Sequence, residues 1–167
     1  MNTALSQQAS LPHSSGPERP SAEHLAKANI NPATGLATDY LNHFNEAIML
    51  LDLVASMPEC LSDLMAWRPM SYQDHFAGSN FKDRKLAVVA YAVADPAARR
   101  DLERFADAMT EVLLATRDAM TAEGLGAEAA GEAARAAVVL RPLVALAGAV
   151  INGHATAVGA IDAMFKR

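Results

Sequence analysis

The residue types best suited to chemistry gather in one short stretch, TDYLNHFNEAIMLLDLV, over Thr38–Val54. Asp39, His43 and Glu46 stand there at steps of four and three, a spacing that sets two carboxylates and an imidazole on one face of an α-helix. Helical bundles build metal sites from such inward-projecting groups on facing helices. An iron site of two histidines and one carboxylate needs a further imidazole, and His75 in YQDHFAGSNFK is the donor on offer. Asp39, His43, Glu46 and His75 therefore form the candidate ligand-binding set, with its metal or cofactor unspecified. The plainer reading of the same residues is a solvated helix face on which carboxylates support a histidine locally.

The chemistry that is missing narrows the choice. The paired Glu-x-x-His spacing of di-iron bundles is absent, as are the repeated histidines of a haemerythrin-type site. No nucleophile elbow, phosphate loop, GxGxxG, HExxH or CxxC occurs, so no catalytic residue is assigned. His75 with Ala77, Gly78 and Ser79 resembles the His-x-x-x-Gly-Ser pattern of histidine phosphotransfer domains. The spacing is one residue short, and alanine stands where a basic residue normally precedes the glycine. Glu103, Asp107 and Glu111 make an acidic row at steps of four, which reads as a solvated charged face. His154, after a turn, reads as a contact to helix-end groups.

The elements that must position these residues are all helices. Thr38 or Asp39 can cap the first strong helix, and Pro58 is expected to stop it near Met57. A short helix follows over about Glu59–Trp67, and Ser71 with Asp74 fits a capping box for another that ends at Gly78. Asn80–Ala94 reads as a helix with Phe81, Leu86, Val89, Ala90 and Val93 inward. Asp95-Pro96 restarts the chain as N-cap and first helical residue. From there Leu102, Phe105, Met109, Val112, Leu113 and Met120 recur at helical steps as a bundle seam. Thr116, the polar member of that seam, can bond the carbonyl four residues back. Gly124 and Gly126 break the helix. The Ala-rich remainder is expected to run to Leu140, break or kink at Pro142, resume to Ile151, turn at Asn152-Gly153, and close with a helix from His154 to Phe165. No alternating strand pattern appears.

Composition bounds the function classes. The chain has 167 residues, 51% hydrophobic, with net charge −5, and its 14 Lys and Arg are scattered. That excludes the basic footprint of a nucleic-acid binder. The lone Cys60 allows neither an intramolecular disulfide nor a Cys-based metal motif, and it reads as a structural residue. The start lacks the basic and apolar regions of a secretory signal. The most apolar run, Ala136–Ile151, is interrupted by Arg141 and Pro142 and falls short of the ~20 residues of a membrane span, which leaves the cytoplasm as the default. Residues 1–36 hold four prolines among many polar residues and read as a disordered leader.

The expectation is an all-α, irregular bundle of five to seven helices over 37–167. The leading functional reading is a non-catalytic helical regulatory or protein-interaction module, with a protein partner or a second copy of itself. The alternatives are a metal- or small-ligand-binding bundle, conceivably an oxidoreductase, using Asp39, His43, Glu46 and His75, and phosphotransfer through His75.

Overall fold

The computed structural model describes residues 19–54, 56–123 and 127–154. Among them the chain forms seven α-helices and one 3-10 turn. These are α1 (Ala22–Lys27), the 3-10 turn Thr38–Leu41, α2 (Asn42–Leu53), α3 (Cys60–Ala66), α4 (Tyr72–Gly78), α5 (Arg84–Ala92), α6 (Pro96–Glu123) and α7 (Ala127–Ile151). The only strand-like pairing among the described residues is one antiparallel bridge between Ile30 and Ala37.

The long helices α6 and α7 form an antiparallel hairpin that is the frame of the fold. On α6, Leu102, Phe105, Met109, Leu113 and Met120 are buried at helical spacing, as the periodicity predicts. Buried Thr116 donates to the Val112 carbonyl at 2.7 Å, which satisfies its hydroxyl inside its own helix. α7 answers with Ala129, Ala133, Ala136, Ala137, Leu140, Leu143 and Ala147, mostly small side chains that let the backbones approach. α2 crosses α7 antiparallel: Leu41 lies against Gly148 at one end, and Asp52 pairs with Arg141 at the other.

Several local expectations hold. Ser71 accepts from the Asp74 backbone N–H at 3.1 Å and donates to its carboxylate at 2.7 Å, so the capping box starts α4. Asp95 caps α6 through the Ala98 N–H at 2.8 Å. Gly153 turns the chain after α7 at φ +77°.

Others need correction. The leader reading fails over residues 22–36, where Leu25, Ile30 and Leu36 are at most 1% exposed. Asn31 organises this segment: its side chain accepts from the Ala33 and Thr34 N–H groups, and its backbone exchanges bonds with Leu36 and Gly35. The folded unit therefore begins before residue 37. Residues 1–18, and the terminal helix expected to follow His154, lie outside the described residues.

The Thr38–Val54 stretch does not start as an α-helix, and neither Thr38 nor Asp39 caps it with a side chain. α2 also closes at Leu53, earlier than expected, with the Ser56 and Met57 N–H groups bonding back to the Leu53 carbonyl. α5 begins at Arg84 instead of Asn80; Ala90 is buried as expected, but Ala87 and Tyr91 share its inward face and Val89 is exposed. α7 runs unbroken through Pro142. Proline removes the bond to the Val138 carbonyl, but both residues lie on the outer face, where water can take that acceptor. Continuity has a consequence for length: Glu128–Ile151 is long and apolar enough to cross a membrane by length and composition alone, and its most apolar 18 residues have a mean hydropathy of 1.8 and are 39% buried. The core helix of a folded domain meets the same test of length and composition.

Candidate functional site

The four candidate residues part company in the structure. Asp39 sits half-buried in the 3-10 turn, outside α2, so the assumed phase from Asp39 to His43 is broken. Glu46 is exposed, three residues and about 300 degrees of helix beyond His43. His43 is 5% exposed, inside the core. His75, near the end of α4, is half-buried. The structure thus brings His43 and His75 together, with ring centroids 6.2 Å apart, keeps Asp39 beside His75, and leaves Glu46 in water.

Around the two imidazoles lies an aromatic corner drawn from the 3-10 turn, α2, α3, α4 and α5. His43 stacks on Trp67 with centroids 4.6 Å apart and planes 20° from parallel. The Trp67 indole donates back to the His43 carbonyl at 3.1 Å, so ring and backbone hold the same partner. His75 meets Tyr40 and Phe76 edge-on at 5.7 and 5.1 Å. Tyr40 donates to the Met70 carbonyl, and Tyr72 accepts from the Ala37 N–H while stacking on Tyr91. Polar tips therefore find partners while their rings fill the core.

The electrostatics follow from burial. His43 is held below its ordinary pKa by desolvation first and by His75 second, against a backbone bond at Arg68. His75 is lowered by its burial, although Asp39 opposes this. Burial pushes the Tyr40 phenol up to about 12, with Asp107 and Glu103 adding to it. Tyr72 is raised by burial, and Tyr91 by burial and its bond to Glu103. These phenols stay protonated near neutrality, so none is poised as a base.

Among the described residues, no group of three or more His, Cys, Asp or Glu side chains could hold a metal ion. Asp39 acts on His75, but it does not make with the two imidazoles a group of that kind. The acidic row Glu103, Asp107 and Glu111 is exposed along α6, with Arg99 3.9 Å from Glu103. Cys60 is buried as a free thiol. His154 is exposed, and its backbone N–H bonds the Ala149 carbonyl at the end of α7.

What sequence reasoning missed is the role of Trp67 as a junction. Both buried side-chain nitrogens without a partner among the described residues, His43 Nε2 and Arg117 Nε, adjoin it. Its ring covers His43, and its carbonyl accepts from Arg117 at 2.9 Å. A concavity of about 290 Å³ opens where the start of α6 meets the end of α7, lined by Thr34, Asp95, Asp101, Val150 and His154 among others. Compared with protein-family models, curated proteins and solved structures, the chain matches none.

Proposed function

We propose that the chain is a non-catalytic helical interaction module that pairs with a second copy through the outward face of α7. One observation carries this reading: Val138 and Val139 are 68% and 47% exposed at the middle of a 25-residue helix. Ala134, Pro142 and Ala145 continue the exposed apolar face on both sides. A contiguous apolar face left in water is the kind of surface that oligomers bury.

Two features favour a second copy as the partner. The valines stand at the midpoint of Ala127–Ile151, so a two-fold axis beside them lets two α7 helices lie antiparallel over their whole length. The flanking cations are also already balanced, Arg135 by Glu132 and Arg141 by Asp52, so the face has no net charge to draw an acidic partner. No specific observation favours the metal-binding or phosphotransfer reading.

Size-exclusion chromatography with light scattering tests the proposal. The wild-type protein is expected to run as a dimer at tens of micromolar, and Val138→Glu as a monomer with an unchanged helical circular-dichroism spectrum and a melt that no longer depends on protein concentration. A wild-type monomer at the highest attainable concentration would sink the second-copy reading. Flotation of that monomer with neutral-lipid vesicles would reassign the face to a membrane.

A further inference from the structure

We infer that the His43–His75 pair is a built-in acid switch, which loosens the aromatic corner when its imidazoles take up protons. The inference rests on a cluster of groups and stands apart from the pairing of α7. His43 is buried, its Nε2 has no hydrogen-bond partner, and its ring lies flat against Trp67. A second imidazole stands 6.2 Å away across the α2–α4 contact. Charging His43 places a cation out of reach of water, and charging both rings sets like charges side by side.

The surrounding charges do little to offset this. Asp39, from the 3-10 turn, is the carboxylate that acts on His75. The link after α3 carries Arg68, whose guanidinium donates to the Trp67 carbonyl at 2.8 Å. α6 brings Arg117 to the same carbonyl, while its Asp107 and Glu103 act on Tyr40. α7 contributes Arg141, which is committed to Asp52 at the far end of α2. Two guanidiniums therefore converge on the residue that covers His43, and one carboxylate stands beside the pair. Because Trp67 is bonded to the His43 backbone as well as stacked on its ring, a displaced imidazole moves the end of α3 with it.

The sign follows from the depressed imidazoles. A histidine whose pKa is lowered by folding binds its proton more readily in the unfolded chain. Folding is then fully favoured above the ordinary value of about 6.5, and it loses stability as pH falls through that value towards the lower folded ones.

The chain's only tryptophan reports on the event. Between about pH 7.5 and about pH 5 the wild-type Tm is expected to fall by roughly 4 °C or more, with Trp67 emission changing over the same range. In the double variant His43→Phe, His75→Gln that fall is expected to shrink by at least half. A flat wild-type profile, or a double variant that loses as much as the wild type, overturns the inference. If the double variant does not fold, the wild-type imidazole proton signals decide. A His43 titration below about 6.5 supports the switch, and titration of both rings at or above it overturns it.

Discussion

The two halves of this fold build a core by opposite means. Residues 19–95 use short helices tied together by large rings: Tyr40, Phe44, Trp67, Tyr72, Phe76, Phe81 and Tyr91. The α6–α7 hairpin uses two long helices and, on its α7 side, buried alanines, with Phe105 its one described aromatic. A short helix buries few side chains, so each must be large and reach several neighbours. A long helix buries many, so small ones suffice and close approach of the backbones does the rest. The first region should therefore be sensitive to losing volume, and the second to gaining it.

Four substitutions would break or sharpen that contrast. Phe76, fully buried between Tyr72, His75 and Phe81, should be the most costly to truncate, with Phe76→Ala losing about 4 kcal/mol in chemical denaturation. A loss no larger than that of an exposed site would end the idea of an aromatic keystone. Gly35→Ala should cost about 3 kcal/mol, because φ is +78° and a Cβ would stand 3.1 Å from the Ala94 Cα and 3.2 Å from the Ala90 carbonyl. Enlarging the hairpin by Ala133→Leu, at a fully buried position, should cost about 2 kcal/mol, and an unchanged midpoint would mean that α6 and α7 have room to spare. The smallest effect belongs to Arg141→Gln. Its Nη2 donates to both Asp52 carboxylate oxygens in a pair about half exposed, so a change under about 1 kcal/mol that fades in salt is expected.

Sequence legibility divides along the same line. What depended on neighbours within a turn or two was readable: the Ser71 and Asp95 caps, the Thr116 back-bond and the α6 seam. What depended on distant partners was not. His43 is covered by a tryptophan 24 residues away, and nothing within its own stretch signals that cover. The 3-10 turn broke the helical phase on which grouping Asp39, His43 and Glu46 relied. Residues 22–36 looked polar because their few apolar side chains, Leu25, Ile30 and Leu36, are spaced by an Asn31 turn and not by a helix. Pro142 looked like a break because its tolerance depends on which face of α7 meets water.

Thr34 joins the earliest described segment to the latest. Its hydroxyl donates to the Ile151 carbonyl at 2.7 Å, across 117 residues of sequence, and its own carbonyl accepts from the Asp95 N–H where α6 begins. The partner for that hydroxyl is made 117 residues after Thr34. Contacts of such sequence separation close slowly, so this one should form later in folding than the turn and cap bonds around Thr34. An intermediate that forms before α7 docks lacks the bond from Thr34 to Ile151, and incompletely docked segments of this kind are where exposed apolar surface invites aggregation.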